Sequence, residues 1–275
     1  MNRIKLCGNP LNLELTLNSG QAFRWRKNNN LWQGFINNKL CEITKEEDFL
    51  YFSENISQDE IIRYFLLDND LNKIYSELIA SDRDLEPIID KYYGLRIMRQ
   101  ETEETLYSFL CSACNAIPKI MAGCEKFCAL FSENIKENGR YSFPTTSQII
   151  KNDRQKMGEI KEIAFRGKNI FDTALIISQI PSFFDNLQNS DYEIAKETLT
   201  GIKNIGPKIA DCICLFSLDF PFAVPVDTHV RQIAQKKWGY EMKGKTISKT
   251  NYRDIQKLFE NKYGNNAGLA QQFLS

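Results

Sequence analysis

The sequence predicts an α+β fold, in which a small strand-rich N-terminal domain precedes a larger all-helical domain. Two patterns predict it. Between residues 10 and 52, apolar and polar residues alternate with the period of two that is typical of strands. From about residue 58, and almost throughout after residue 100, apolar residues recur instead at the three- and four-residue spacing of helices. We therefore expect domains at 1–100 and 101–275.

The expected strands lie within residues 10–52. The segment 11–17 alternates strictly, and further apolar runs cover 22–26, 31–36 and 39–44. Three consecutive asparagines at 28–30 predict a turn between two of these runs, because asparagine accepts the backbone conformations that tight turns require.

The expected helices begin near residue 58, where Ser57 and Glu60 have the spacing of a capping box. An apolar stripe over 103–131 predicts helix, with a break at Pro118 because proline cannot continue a preceding helix. The other predicted helices cover 71–80, 84–92, 146–152, 154–165, 168–179, 191–199, 207–218, 228–237 and 250–262.

Composition excludes some classes of protein. With 43% hydrophobic and 25% charged residues, the chain is typical of a globular protein. Its sequence has no apolar run long enough to span a membrane, and its N-terminal residues lack the apolar core of an export signal. Eight cysteines without such a signal indicate a reducing compartment rather than a disulfide framework. We therefore expect neither membrane insertion nor secretion.

The formal net charge is zero, with 35 basic and 35 acidic residues. A protein that binds nucleic acid through charge alone carries a strong positive excess. If this chain binds DNA, its main-chain amides and helix N-termini must therefore supply much of the contact with phosphate.

Residues 191–218 predict two helices joined by a short turn. The second helix begins at Pro207, which suits the first helical position because it has no N–H to leave unpaired. Gly206, just before it, lets the backbone approach a ligand closely. Such a helix–hairpin–helix points unpaired amides at a phosphate without needing basic side chains.

Lys208 lies in the first turn of the second predicted helix. The positive end of the helix dipole disfavours an added charge there, and this favours the neutral amine. A neutral amine is a nucleophile that forms Schiff bases with carbonyl carbons. Most lysines are simply solvated on a helix surface, and on the residue alone this alternative stays open.

Asp227 follows an extended segment and is predicted as the N-cap of the helix at 228–237. A carboxylate in that place has a fixed direction, so it can also stabilise positive charge that develops on a sugar as a base departs. His229, the single histidine of the chain, lies at the same helix start. It is a candidate phosphate contact, but it lacks partners for binding a metal.

Four ordered segments resemble the 8-oxoguanine DNA glycosylases of the helix–hairpin–helix superfamily: SGQAFRW at 19–25, ADCICL at 210–215, VPVDTH at 224–229 and AGLAQQFL at 267–274. The resemblance covers nearly the whole chain, whereas the hairpin alone is common to many repair proteins. It implies a TATA-binding-protein-like N-terminal domain, a monomer, and duplex DNA with an oxidised purine as partner. It also implies a location at the bacterial nucleoid in the cytoplasm, or in the nucleus of a eukaryote.

The resemblance also implies roles for individual residues in catalysis and in the pocket for the damaged base. Lys208 matches the nucleophile that attacks C1′ and forms a Schiff base leading to β-elimination, and Asp227 matches the assisting carboxylate. Gly20 matches the glycine whose carbonyl accepts the N7–H that 8-oxoguanine has and guanine lacks. The remaining pocket residues are Cys212 against one face of the base, Gln271 at its Watson–Crick edge, and Pro225.

Further matches imply contacts with DNA. Phe165 and Arg166 match a wedge and an arginine facing the orphaned cytosine, Asn115 lies in the inserted segment that is rich in asparagine, and His229 matches a phosphate contact. In the hairpin, Gly206 is expected to approach DNA, and Asn204 replaces a glycine of the family, a change that the tolerance of asparagine for positive φ permits. Cys114 replaces an asparagine and Lys119 an arginine that contact the cytosine. Lysine lacks the bidentate fork of arginine, so we expect a blunted preference for cytosine opposite the lesion.

No cofactor is expected to be required. The resemblance implies a structural monovalent cation on the main-chain carbonyls of Thr200, Ile202 and Ile205. The four thiols of Cys111, Cys114, Cys124 and Cys128 could instead bind zinc or an iron–sulfur cluster. We expect no such cluster, because Cys124 and Cys128 continue the apolar stripe of a helix and free cysteine commonly packs as a small hydrophobe.

Three functions remain as hypotheses. The first is a bifunctional glycosylase and abasic-site lyase for 8-oxoguanine. The second is a glycosylase for alkylated purines on the same fold, which expects no lysine at position 208. The third is a non-catalytic or weakly active module that binds damaged DNA through the hairpin.

Overall fold

The computed structural model describes residues 1–112, 115–134, 139–163, 166–242, 244 and 246–275. The N-terminal residues form a five-stranded antiparallel sheet with the order β1-β5-β4-β3-β2. Its strands are β1 (Asn2–Lys5), β2 (Arg26–Asn28), β3 (Leu31–Ile36), β4 (Lys39–Glu46) and β5 (Phe49–Phe52). The register places Trp32 opposite Ile43, and both side chains are buried.

The strand predictions for 31–36 and 39–44 are confirmed by β3 and β4. The asparagine turn is also confirmed, since Asn29 has a φ of 55° between β2 and β3. The prediction of a strand at 11–17 is wrong, because Leu13–Leu17 forms a short helix, α1. The Asn12 side chain caps it by accepting the N–H of Leu15, and local capping outweighs the alternating pattern. The run at 22–26 is buried without forming a strand until Arg26.

Three short helices follow the sheet: α2 (Gln58–Phe65), α3 (Leu71–Ser81) and α4 (Glu86–Lys91). The predicted capping box is confirmed. The Ser57 hydroxyl accepts the N–H of Glu60, and the Glu60 carboxylate accepts the N–H of Ser57.

The remaining helices are α5 (Thr102–Ser112), α6 (Ile117–Phe131), α7 (Thr146–Lys151), α8 (Arg166–Ser178), α9 (Phe183–Gln188), α10 (Tyr192–Gly201), α11 (Pro207–Ser217), α12 (Thr228–Trp238), α13 (Lys249–Tyr263) and α14 (Ala267–Leu274). The predicted break at Pro118 is confirmed, because this residue lies in the first turn of α6. The predicted helix at 154–165 is wrong in part. Only a 3₁₀ helix at Arg154–Glu159 forms, and residues 164–165 lie outside the described part.

Hydrophobic side chains collect into clusters that position the later helices. One cluster joins α5, α6, α8, α10 and α11 and includes Leu215 and Ala223. A second joins α3 and α4 to α12, α13 and α14 and includes Val224 and Val226. The extended segment 223–226 therefore runs from one cluster into the other. The second cluster draws residues from both sides of residue 100, and the proposed domain division stays a prediction.

Among the described residues, no helix combines the length and the apolar character needed to cross a membrane.

Candidate active site

The turn between α10 and α11 has the form that the sequence predicts. Gly206 is the N-cap of α11, Pro207 occupies its first turn, and a Cβ added to Gly206 would meet open space. Asn204 has a φ of 77°, a conformation that asparagine tolerates, and its side-chain amide donates to the carbonyl of Asn169 at 3.3 Å. The first main-chain amides of α11 are therefore presented at an open surface.

Lys208 projects from the first turn of α11 and is half-buried. Its Nζ atom lies 5.5 Å from the centroid of the Phe109 ring on α5. The Cys212 thiol lies one turn further along α11, and the positive charge of Lys208 lowers the pKa of that thiol. The amine is thus held between an aromatic face and a thiol rather than extended into solvent.

Both predicted catalytic residues influence the pKa of the Cys212 thiol. Burial raises the pKa of this thiol to about 11, the positive charge of Lys208 lowers it, and the carboxylates of Asp211 and Asp227 raise it. Lys208 and Cys212 are one turn apart and so lie on the same face of α11. Asp227 is near enough to the buried thiol to influence its pKa as well.

Asp227 is the N-cap of α12, as the sequence predicts. Its Oδ1 atom accepts the main-chain N–H of His229 at 2.9 Å and that of Val230 at 3.0 Å. These two bonds fix the direction of the carboxylate, because the helix end cannot rotate with the side chain. His229 is exposed beside it, whereas Pro225 is buried in the segment that leads to Asp227.

Gln271 lies on α14, which packs closely against α11. A Cβ added to Gly268 would stand 2.4 Å from Cδ1 of Leu215 and 2.6 Å from the carbonyl oxygen of Pro221, so only glycine permits this approach. Gln271 is 5% exposed, and its amide donates to the Ser275 hydroxyl at 2.6 Å. The predicted base reader is therefore carried on the element that covers the helix of Lys208.

Gly20 lies beside Ile117, the first residue of α6. Its φ is 80°, and an added Cβ would stand 3.3 Å from Cδ1 of Ile117. Lys119 is exposed on the same first turn of α6. Gly20 therefore lies against the first turn of α6, the turn that also carries Lys119.

The predicted contacts with the orphaned base are only partly described. Cys114 and Phe165 lie outside the described residues. The Asn115 amide donates to the carbonyl of Glu162 at 2.9 Å, which ties the start of α6 to the segment before α8. Arg166 is 7% exposed, and its guanidinium donates to the carbonyl of Ile163 at 3.4 Å. Its predicted contact with cytosine stays a prediction.

The turn after α10 offers main-chain oxygen atoms of the kind that bind monovalent cations. The carbonyl of Ile202 accepts the N–H of Ile205 at 3.1 Å, and its second lone pair is compatible with a cation. The Thr200 hydroxyl instead donates back into α10, to the carbonyls of Lys196 and Glu197. The cation site stays a prediction.

Cys111, Cys124 and Cys128 are buried between α5 and α6. The hydrogen bond to Cys111 and burial hold the pKa of the Cys124 thiol well above its ordinary value, and burial does the same for Cys128. In the part of the chain that the structure describes, no group of three histidine, cysteine or acidic side chains could hold a metal ion. Cys114, the fourth thiol of that hypothesis, lies outside this part.

The sequence reasoning missed a buried polar network around Asp211. This residue is fully buried on α11, and its carboxylate accepts the hydroxyls of Tyr192 at 2.7 Å and Tyr252 at 2.5 Å. Lys196 lies 3.1 Å from the same carboxylate, and Gln256 donates to it at 2.8 Å. An acidic residue in an otherwise apolar stretch of helix was the available signal, because a buried charge requires partners.

Comparisons with known proteins show which family this chain resembles. Residues 3–106 match the family model described as 8-oxoguanine DNA glycosylase, N-terminal domain. An N-glycosylase/DNA lyase of Saccharomyces cerevisiae is 30% identical over 271 residues, which cover 86% of this chain and 70% of that protein.

Two solved structures are also similar. MBOgg1 in complex with a low-affinity DNA ligand has 29% identity and a TM-score of 0.87, with 99% of this chain and 93% of that chain covered. The 8-oxoguanine glycosylase/lyase of Clostridium acetobutylicum, in complex with duplex DNA containing cytosine opposite 8-oxoguanine, has 27% identity and a TM-score of 0.84. In that comparison 98% of this chain and 91% of the other are covered.

Proposed function

Because this chain belongs to the 8-oxoguanine DNA glycosylase family, we propose that it removes 8-oxoguanine from duplex DNA with Lys208 as the nucleophile and Asp227 as the assisting carboxylate. The chain is a DNA-binding repair enzyme, a DNA glycosylase with lyase activity. The observation that carries the proposal is that the Lys208 amine and the Asp227 carboxylate, which its cap hydrogen bonds fix in direction, both influence the pKa of the Cys212 thiol.

The proposed first step is displacement of the base. The neutral amine of Lys208 donates its lone pair to C1′, the C1′–N9 bond breaks, and its electron pair leaves with the base, which takes up a proton. Positive charge develops on the sugar as this bond breaks, and the Asp227 carboxylate stabilises it. The N-cap hydrogen bonds of Asp227 keep the carboxylate in place, so no reorganisation is needed during the reaction.

The proposed second step is cleavage of the strand. Opening of the sugar ring converts the amine adduct at C1′ to a protonated imine, which is the Schiff base. Loss of a proton from C2′ then expels the phosphate from C3′ and leaves a double bond between these two carbons. The attachment to Lys208 is finally released by water.

The damaged base would be held between elements that the structure already brings together. We propose that Cys212 on α11 and Pro225 before α12 line the pocket, and that Gln271 on α14 faces it from a third element. Gly20 supplies a carbonyl for the N7–H of 8-oxoguanine. Guanine presents a lone pair there, so the carbonyl would lose its partner and guanine would be rejected.

Main-chain groups would contact the DNA phosphates as much as charged side chains would. A side chain at Gly206 would meet open space at the start of α11, and the bond from the Asn204 amide to the carbonyl of Asn169 stabilises the turn. A monovalent cation on the carbonyls of Thr200, Ile202 and Ile205 would add positive charge beside the phosphate. His229 is exposed at the N-terminus of α12 and would donate to a phosphate from there. We propose that the enzyme acts as a monomer.

Release of the free base tests the proposed substrate. Duplexes carrying 8-oxoguanine, guanine or an alkylated purine are incubated with the wild-type enzyme and with Lys208→Gln. A matched control is Lys257→Gln, which changes an exposed lysine on α13. We expect release of 8-oxoguanine by the wild type and the control, and loss of release in Lys208→Gln. Release of the alkylated base that persists in Lys208→Gln would favour the second hypothesis instead.

A further inference from the structure

Tyr252 on α13 joins the helix of the nucleophile to the segment of the carboxylate. Its hydroxyl donates to Oδ2 of Asp211 at 2.5 Å and accepts the main-chain N–H of Val226 at 3.1 Å. Asp211 lies three residues after Lys208 on α11, and Val226 directly precedes Asp227. One hydroxyl therefore connects the two elements on which the proposed reaction depends.

The surrounding network fixes this connection. The Gln256 amide, one turn further along α13, donates to Asp211 Oδ2 at 2.8 Å and to the carbonyl of Val224 at 3.0 Å. From α10, Lys196 lies 3.1 Å from the other carboxylate oxygen of Asp211. Tyr252 and Gln256 thus hold the extended segment at both Val224 and Val226.

Burial makes the hydroxyl of Tyr252 hard to replace. The side chains of Tyr252 and Asp211 are 7% and 0% exposed, so water has little access to the groups they bind. Burial and the neighbouring carboxylate hold the pKa of Tyr252 well above its ordinary value, which keeps it a donor to Asp211. Without the hydroxyl, the buried N–H of Val226 has no acceptor at that position, and the backbone next to Asp227 must move to find one.

We propose that Tyr252 is a positioning residue for base removal, which holds Asp227 at the correct distance from Lys208 by anchoring Val226 to Asp211. This inference rests on the proposed function, because it assigns Tyr252 a part in that reaction. Tyr252 touches neither DNA nor the reacting atoms in this account, and it acts through Asp227. Its contribution belongs to the step in which the base departs, since that step alone uses the carboxylate.

The chain offers a matched control on the same helix. Tyr263 is 5% exposed, and its hydroxyl donates to Oδ2 of Asp82 at 2.7 Å. Asp82 also pairs with Lys237 at 3.3 Å, so each tyrosine serves a buried carboxylate with a lysine partner. Tyr263 contacts neither α11 nor the segment before Asp227 through this bond. Tyr263→Phe therefore removes an equivalent hydroxyl at a distance from the site.

The experiment compares wild type, Tyr252→Phe and Tyr263→Phe on two duplexes. One carries 8-oxoguanine, and the single-turnover rate of its excision is measured at saturating enzyme. The other carries a preformed abasic site, and the rate of borohydride trapping is measured. No base departs from the abasic site, so trapping requires Lys208 but not the help of Asp227. Melting temperatures of the three proteins are compared in parallel.

We expect Tyr252→Phe to excise 8-oxoguanine about tenfold more slowly, because misplacement of a catalytic group by a fraction of an ångström has effects of this order. Its trapping rate on the abasic duplex should stay within about twofold of the wild type, and Tyr263→Phe should match the wild type on both duplexes. General destabilisation would slow both reactions together.

Equal excision rates for Tyr252→Phe and Tyr263→Phe would overturn the inference, as would an equal loss of excision and trapping in Tyr252→Phe. A wild-type enzyme that traps on neither duplex would overturn the proposed function itself.

Discussion

The carboxylate of Asp227 accepts the main-chain N–H of Val230 at 3.0 Å and so begins helix α12. The same carboxylate raises the pKa of the Cys212 thiol, and the positive charge of Lys208 lowers it. Asp227 therefore caps a helix, as its hydrogen bonds show, and we propose that it also stabilises positive charge on the sugar. The two tasks can be separated, because asparagine caps a helix as well as aspartate but carries no charge.

Asp227→Asn should keep the stability of the protein and slow the removal of the base. We expect a free energy of unfolding within about 0.5 kcal/mol of the wild type, and an excision rate about 100-fold lower. Asp227→Ala should lose about 1 kcal/mol in addition, because it also removes the cap. Chemical denaturation and single-turnover excision measure the two effects. An unchanged excision rate in Asp227→Asn would remove this carboxylate from catalysis.

Gly268→Ala should loosen α14 from α11. The added Cβ would stand 2.6 Å from the carbonyl oxygen of Pro221, and a backbone atom cannot yield as a side chain can. We expect a loss of about 2 kcal/mol in the free energy of unfolding. Gly201→Ala is the control, since its Cβ would meet open space at the end of α10. Equal stabilities of these two variants would contradict the close packing.

We expect the excision rate to depend only weakly on the base opposite the lesion. An arginine at position 119 would make this dependence stronger. Lys119 is exposed on the first turn of α6 and lacks a bidentate fork. Excision rates opposite cytosine, thymine, guanine and adenine should differ by less than about tenfold, and Lys119→Arg should widen this range. Lys126→Arg, at a lysine of α6 that pairs with Glu162, serves as the control. A strong cytosine preference in the wild type would contradict the expectation and show that Lys119 or Asn115 compensates for the missing arginine.

Stability in acid should depend on Glu60. Burial opposes its ionisation, but the N–H of Ser57 and the side chains of Lys39 and Asn37 outweigh it and lower its pKa to about 2. A lowered pKa contributes stability that is present above the ordinary value of 4.5 and is lost as the pH falls towards 2. The melting temperature of Glu60→Gln should therefore fall less between pH 5 and pH 3 than that of the wild type. Glu46→Gln, at an exposed position of β4, should follow the wild type.

Elements with strong local signals were predictable from the sequence. The capping box of Ser57 and Glu60, the break at Pro118 and the start of α11 at Pro207 each depend on residues within one turn. The strand prediction at 11–17 failed because Asn12 caps a helix there, and a cap competes with an alternating pattern over so short a segment. Strand β1 was missed, since its pairing with β5 joins residues distant in sequence.

The residues of the candidate site also fall into two groups: those that local pattern or resemblance identifies, and those that only the fold identifies. Lys208, Asp227 and Asn204 were identified from local pattern and from resemblance, and both Lys208 and Asp227 influence the pKa of the Cys212 thiol. Tyr252 was not identified, because its importance comes from contacts with Asp211 and Val226 that only the fold creates. Long-range hydrogen bonds of this kind leave no periodic trace in a sequence.

Borohydride trapping identifies the residue that attacks the sugar. The wild-type enzyme is incubated with a duplex carrying 8-oxoguanine and reduced, and the site of attachment is located by peptide mapping. A covalent protein–DNA adduct on Lys208 is the predicted result, with no adduct on an undamaged guanine duplex or in Lys208→Gln. An adduct on another residue, or equal trapping by Lys208→Gln, would contradict the assignment of the nucleophile.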